Sequence, residues 1–69
     1  MQRHPVTSSN ITEVGYSDEH QILELLFSSG MTYQYFDVPR RIFEELLQAE
    51  SIGRYVNANI KGNFRYARL

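Results

Sequence analysis

The chain has 69 residues, no cysteine, no tryptophan and a formal net charge of −1. This length allows one small domain, and the lack of cysteine excludes disulfides and cysteine-based zinc sites. No apolar run approaches the roughly 20 residues that a membrane-spanning helix needs, and the N-terminus lacks the apolar core of a signal peptide. We therefore expect a cytoplasmic protein with no membrane partner.

Charge is distributed unevenly along the chain. Residues 1–50 contain three arginines and eight acidic residues, whereas residues 51–69 contain no acid and four cations, Arg54, Lys61, Arg65 and Arg68. Such an asymmetry is typical of a surface that binds phosphate or an acidic partner. The alternative interpretation is that the basic end packs beside an acidic helix of the same molecule.

The first half of the chain predicts an N-terminal arm followed by three strands. The arm is residues 1–9, with a short strand at 5–7, and the strands are residues 10–16, 21–27 and 31–38. Connections this short exclude crossovers, so the strands should form an antiparallel meander. A bulge is expected at Gly15, because the apolar residues of the first strand do not keep a period of two. Alternation in the second strand places Leu23, Leu25 and Phe27 on one face, which we assign to the core.

The second half predicts two helices and a terminal strand. Pro39 suits a first helical position with Asp37 as the cap, and the helix has one apolar face, formed by Ile42, Phe43, Leu46 and Leu47. Ser51 should cap a second helix that ends near residue 60, and residues 64–69 alternate like an edge strand. Residues 10–69 thus predict a single α+β domain. It is a three-stranded antiparallel meander plus a short C-terminal edge strand, covered by two helices.

Tyr33 and Tyr35 are two residues apart in the third strand, so both side chains project from one face. Paired aromatic rings on a sheet either form part of the core or provide a platform on which bases stack. The choice depends on the register of the strand, which the sequence does not fix.

The basic, aromatic C-terminal third is the better candidate for a binding surface. Arginine and lysine contact phosphates, and aromatic faces stack unpaired bases. Asn57 lies within a predicted helix, where asparagine is unfavourable, so its amide either bonds a neighbouring loop or contacts a base edge. The candidate nucleic-acid-binding residues are Tyr33, Tyr35, Arg54, Tyr55, Asn57, Lys61, Arg65, Tyr66 and Arg68. This hypothesis predicts that the late cations and rings form one outward-facing patch.

Catalytic and metal-binding patterns are missing from the sequence. His4 and His20 are far apart in polar surroundings, and the adjacent Glu44 and Glu45 point in different directions on a helix. There is no glycine-rich phosphate loop. We expect no enzyme activity, no metal and no cofactor.

Several short motifs, in order over about sixty residues, resemble the KTSC domain. They are Ser8-Ser9-Asn10-Ile11, Val14-Gly15-Tyr16, the alternating Leu23, Leu25 and Phe27, Ser29-Gly30, Tyr33-Gln34-Tyr35, Phe36-Asp37-Val38-Pro39, Ser51, Gly53-Arg54-Tyr55, Asn57, Ile60-Lys61-Gly62, Tyr66 and Arg68-Leu69. This family is a short bacterial domain that occurs alone and at the C-terminus of some lysyl-tRNA synthetases. Phe64 departs from the pattern, in which a tyrosine is expected.

The resemblance implies a bare domain with no synthetase attached, and it implies no catalytic residues. The family has no established activity, and RNA binding is suggested by its association with the synthetase. The first hypothesis is therefore a small non-catalytic module that binds tRNA or single-stranded RNA. The alternative is a module that binds another protein or itself, since a free edge strand can recruit a further strand.

Overall fold

Five antiparallel strands follow one another along the chain and pair in sequence order as one sheet. The computed structural model describes residues 1–69. The strands are β1 (Arg3–Pro5), β2 (Ile11–Ser17), β3 (Ile22–Phe27), β4 (Thr32–Tyr35) and β5 (Tyr66–Arg68). The helices are α1 (Arg40–Gln48) and α2 (Ile52–Tyr55), which continues into a π-helical turn, Val56–Ile60. The α+β class, the meander and the C-terminal edge strand are confirmed.

Register places the tyrosine pair on the same face as the predicted core. Leu25 is paired with Tyr33, and Leu23 with Tyr35. Directly opposed residues of an antiparallel pair project from the same face. Leu23 and Leu25 are fully buried on that face, so their assignment to the core is confirmed. Tyr16 also lies on it, and its ring stacks on Phe43 of α1 at 5.1 Å between centroids. The helices therefore cover this face.

The first helix keeps its predicted face but not its predicted cap. Phe43 and Leu46 are buried against the sheet, whereas Leu47 is largely exposed at the helix margin. Asp37 does not cap the helix. Its backbone takes a φ of 59°, and its carboxylate accepts a hydrogen bond from Arg65 Nη2 at 2.8 Å. Pro39 occupies the cap position, where its side chain accepts no hydrogen bond from the backbone amides of the first turn.

The second helical segment begins and ends at the predicted residues, but its last turn is a π-helix. The Ser51 hydroxyl accepts a hydrogen bond from the Arg54 amide at 3.3 Å, which confirms its cap role. Beyond Tyr55 the helix widens into one π turn, closed by a hydrogen bond from the Lys61 amide to the Val56 carbonyl at 2.9 Å. Val56 and Ile60 are buried, so this segment completes the core. Gly62 then turns the chain with a φ of 83°.

The N-terminal segment contains a strand two residues earlier than predicted. Residues 3–5 pair with β2, with Arg3 opposite Gly15. No bulge occurs at Gly15; the register shift lies between Ile11 and Glu13. Glycine at position 15 favours the close approach of the N-terminal segment, because a Cβ there would lie 3.0 Å from the Gln2 carbonyl oxygen and would push it away by a few tenths of an ångström.

The face of the sheet away from the helices has a buried carboxylate. Glu24 is 7% exposed, and its oxygens accept hydrogen bonds from Arg3 Nε at 2.6 Å and Gln34 Nε2 at 2.9 Å. Burial alone would raise the pKa of Glu24, but the hydrogen bonds from Gln34 and Arg3 outweigh it and hold the pKa below its ordinary value. This contact ties β1 to the centre of the sheet.

Two candidate binding grooves

A groove of about 440 Å³ opens where the helix-covered face of the sheet extends beyond the helices. We call it the aromatic groove. It is formed by the ends of β3 and β4, by β5 and by the turn after the π segment. Its lining residues are Phe27, Ser29, Met31, Tyr33, Tyr35, Lys61, Gly62 and Tyr66.

The rings of the aromatic groove form one connected cluster that passes from core to solvent. Tyr35 is 3% exposed and belongs to the core, whereas Tyr66 on the edge strand is 61% exposed. Tyr33 lies between them, with its ring centroid 5.7 Å from that of Tyr66 and 6.4 Å from that of Tyr35. Phe27 packs edge-on against Tyr33 at 5.4 Å. Tyr35 therefore forms the floor, and Tyr33 and Tyr66 present ring surface to a ligand.

The Tyr35 hydroxyl at the floor of this cluster stays protonated well above neutral pH. Burial raises the pKa of Tyr35, and the neighbouring phenols of Tyr33 and Tyr66 raise it further. A neutral phenol can donate as well as accept a hydrogen bond. The groove thus combines aromatic faces with a polar base.

Two cations border the aromatic groove without any carboxylate partner. Lys61 lines the groove and holds its Nζ 5.7 Å from the centroid of Phe27. Arg68 is opposite Tyr33 in the register of β4 and β5, and it is exposed. A cation near an aromatic face is attracted by the ring and remains available to an anion.

A second groove, of about 330 Å³, has a different character. We call it the polar groove. It lies between the loop that joins β1 to β2 and the beginning of α2, two segments about forty residues apart in sequence. Ile52 is the one apolar residue in its lining, which is formed by Thr7, Ser8, Ser9, Asn10, Glu50, Ser51, Ile52, Gly53, Arg54 and Asn57. The two grooves share no lining residue.

Cations without partners occur only beside the two grooves. The chain has seven lysine and arginine residues. Four of them form ion pairs with carboxylates: Arg3, Arg40, Arg41 and Arg65. The other three are Lys61 and Arg68 beside the aromatic groove and Arg54 in the polar groove. Every lysine or arginine away from the two grooves is therefore ion-paired with a carboxylate.

The prediction that the late cations and rings form one outward-facing patch is wrong. Tyr33, Tyr35, Tyr66 and Lys61 line the aromatic groove, and Arg68 adjoins it. Arg54 and Asn57 line the polar groove instead. Arg65 pairs with Asp37 at 2.8 Å. The four cations thus occupy three different surroundings. Arg54 lies in α2, Lys61 follows the π turn, Arg65 directly precedes β5 and Arg68 ends it.

Tyr55 points toward α1 and not toward either groove. Its Oη donates a hydrogen bond to Glu45 Oε1 at 2.7 Å. Burial, reinforced by this carboxylate, raises the pKa of Tyr55 to about 12. The residue therefore joins the two helices, a role that is structural.

Several groove residues were not predicted from the sequence as binding residues. Phe27 was assigned to the core. In the structure it lies two residues beyond Leu25, the last fully buried residue of β3, and it lines the aromatic groove. Ser8, Asn10 and Gly53 were not among the candidate binding residues, yet they line the polar groove. Their positions within the short motifs quoted above were the available signal. The pairing of two distant segments could not be inferred from those motifs.

No group of three or more His, Cys, Asp or Glu side chains is arranged to share a metal ion. None of the helices has the length and apolar character needed to span a bilayer.

Comparison with known proteins supplies the family context. A crystal structure of a KTSC domain protein from Yersinia pestis superposes with a TM-score of 0.93 at 40% identity, covering 99% of this chain and 96% of that one. A protein of Tsukamurella paurometabola is 49% identical over 65 residues, which are 94% of this chain and 97% of its own length. These relatives have nearly the same extent as the chain itself.

A further relative is much larger. The lysine–tRNA ligase of Trichormus variabilis is 44% identical over 61 residues, which cover 88% of this chain and 11% of the ligase. The similarity therefore concerns one small part of that enzyme. The family model of the KTSC domain matches residues 7–64. The chain belongs to the KTSC domain family.

Proposed function

We propose that this domain is a non-catalytic RNA-binding module that stacks unpaired bases in the aromatic groove. The observation that carries the proposal is the placement of Tyr33 and Tyr66 in an open groove bordered by two cations without partners, Lys61 and Arg68. Ring faces stack on bases of any sequence, and the cations contact the phosphates between them. This pairing of exposed rings with free positive charge occurs nowhere else on the molecule.

The relatives are consistent with such a role. Lysine–tRNA ligases contain a segment similar to this chain and, as their name states, act on tRNA. An accessory module of this size could add affinity for RNA without taking part in catalysis. Single-stranded RNA or the unpaired ends and loops of tRNA are the expected ligands, since bases in a duplex do not offer their faces to side chains.

The test is the binding of a fluorescently labelled single-stranded RNA, and of tRNA, at several salt concentrations. We expect affinity to fall as salt rises, with each phosphate contact contributing a slope of about −0.7 in log K against log salt. The double variant Lys61→Glu with Arg68→Glu should abolish binding. Arg41→Gln removes a cation that is paired with Glu45 and lines neither groove, so it serves as the control and should bind like the unmodified protein.

Two results would contradict the proposal. One is the absence of RNA binding by the unmodified domain even at low ionic strength. The other is equal loss of binding in the groove variant and in Arg41→Gln, which would indicate a general dependence on net charge.

Self-association is the second candidate function, and one observation favours it. Exposed apolar side chains flank the edge strand β5: Tyr66, its first residue, is 61% exposed, and Leu69, which directly follows it, is 67% exposed. Edge strands with such side chains recruit a strand from another chain. Light scattering over a range of concentrations tests this proposal, and a strict monomer throughout would exclude it.

A further inference from the structure

We propose that the polar groove is a phosphate-binding site, separate from the aromatic groove and independent of the RNA-binding proposal made for that groove. The ligand is a phosphate group held by the Arg54 guanidinium and the side-chain amides of Asn10 and Asn57. Such a group is carried by a free phosphate compound or by a nucleic-acid backbone.

The first argument is unused hydrogen-bonding capacity. Arg54 has no carboxylate within ion-pair distance, unlike Arg3, Arg40, Arg41 and Arg65. The side chains of Asn10 and Asn57 form no hydrogen bond within the chain, whereas Asn59 and Asn63 each donate to a backbone carbonyl of the same helical segment. Three side chains that the fold leaves without partners, those of Arg54, Asn10 and Asn57, therefore line the same groove. Guanidinium and amide groups together are typical phosphate donors.

The second argument is Gly53. Its backbone is helical, and glycine within a helix lowers the helix-forming equilibrium constant by up to about fivefold relative to alanine. Neither a positive φ nor a close backbone requires glycine there. A Cβ at position 53 would point into the groove, 3.8 Å from Asn10 Nδ2 and 4.0 Å from Ser8 Oγ. Glycine at this position keeps open the space between the two walls, which is the expected arrangement if a ligand occupies it.

One lining residue opposes an anion, and this gives the proposal a sharp test. Glu50 and Arg54 are the two charged residues of the lining. If phosphate binds there, removal of the Glu50 charge should strengthen binding, and removal of the Arg54 charge should weaken it by about tenfold or more. In a groove that binds a cation, removal of the Glu50 charge would weaken binding and removal of the Arg54 charge would strengthen it. In a groove that binds a neutral ligand, neither change would affect the affinity.

The experiment is an NMR titration of the complete 69-residue protein with inorganic phosphate, adenosine monophosphate and a short single-stranded RNA at low ionic strength. We expect the amide signals of residues 8–10 and 53–57 to shift and saturate. Arg54→Gln should remove the saturation, Glu50→Gln should increase affinity severalfold, and Arg41→Gln should leave the titration unchanged. Saturation with phosphate or the mononucleotide identifies a free phosphate ligand, and saturation with RNA alone identifies a backbone phosphate.

The result that overturns the proposal is a titration with no saturation by any of the three ligands, or one that Arg54→Gln leaves intact. The double variant Lys61→Glu with Arg68→Glu separates the two grooves. It should retain the shifts at residues 8–10 even where RNA stacking is lost. The failure of one proposal is thus distinguishable from the failure of the other.

Discussion

The two grooves of this small domain are built on different foundations. The floor of the aromatic groove is the core itself, since Tyr35 is buried and Tyr33 is paired with the fully buried Leu25. The polar groove lies between a loop and a helix end, and most of its lining side chains are exposed. In this fold the ring-lined surface is built on the part of the sheet that extends beyond the helices. The polar groove instead depends on two segments, the β1–β2 loop and the start of α2, that lie side by side.

The largest expected effect comes from the core beneath the aromatic groove. Leu25→Ala should lower the free energy of unfolding by about 2–5 kcal/mol, because a fully buried leucine is lost and a cavity remains. Ser9→Ala, in the polar groove, should change it by less than about 0.5 kcal/mol. Urea unfolding of both variants measures the difference. Similar losses of unfolding free energy in the two variants would show that the aromatic groove does not depend on the core more than the polar groove does.

Tyr66→Ala should weaken RNA binding by about 1–3 kcal/mol, or roughly 5- to 150-fold, because one stacking surface is removed. Its stability should change little, since the side chain is 61% exposed. Fluorescence anisotropy with labelled RNA gives the first quantity, and the melting temperature gives the second. Tyr66→Phe keeps the ring and should retain affinity; a loss in that variant would assign the effect to the hydroxyl.

Gly53→Ala should increase the stability of the protein and weaken phosphate binding in the polar groove. Alanine in place of helical glycine should raise the free energy of unfolding by up to about 1 kcal/mol, and no backbone lies in the way of the new Cβ. Phosphate-induced shifts should weaken, because the methyl group occupies the groove. A more stable variant with undiminished shifts would show that glycine does not serve to keep the groove open.

The smallest effect concerns two tyrosines with raised pKa values, Tyr35 in the floor of the aromatic groove and Tyr55 between the helices. Burial raises the pKa of both, but only Tyr55, whose pKa is about 12, also donates a hydrogen bond to a carboxylate, that of Glu45. Glu45→Gln should therefore lower the pKa of Tyr55 and leave that of Tyr35 unchanged. Titration of ring-labelled tyrosine by NMR measures both. A parallel fall of both pKa values would contradict the assigned causes.

The raised pKa of Tyr55 also has a consequence for stability. The unfolded chain ionises near the ordinary value of 10.0 and the folded protein near 12. The stabilisation is therefore fully present below about pH 10 and is lost as the pH rises through about 12. Glu45→Gln should reduce the alkaline loss of stability, as measured by urea unfolding at pH 9 and above.

Local features of the sequence were sufficient for most of the fold. Alternation in residues 22–27 placed Leu23 and Leu25 in the core, and the hydroxyl of Ser51 was correctly assigned as a helix cap. These predictions succeeded because side-chain period and capping depend on neighbours within a few residues. The Asp37 cap failed because the helix begins at Arg40 with Pro39 at the cap position, which leaves Asp37 two residues before the cap, where its carboxylate pairs with the distant Arg65.

The sequence by itself determined the approximate positions of β2, β3, β4, β5 and the helices, and it determined which aromatic and cationic residues are available for binding. Tertiary structure alone decided which face Tyr33 and Tyr35 occupy, that Arg3–Pro5 joins the sheet, and that Arg54 is separated from Lys61 and Arg68. The physical reason is that strand register and the approach of distant segments depend on pairing across the whole sheet. A shift of one residue in that pairing would turn every ring to the opposite face.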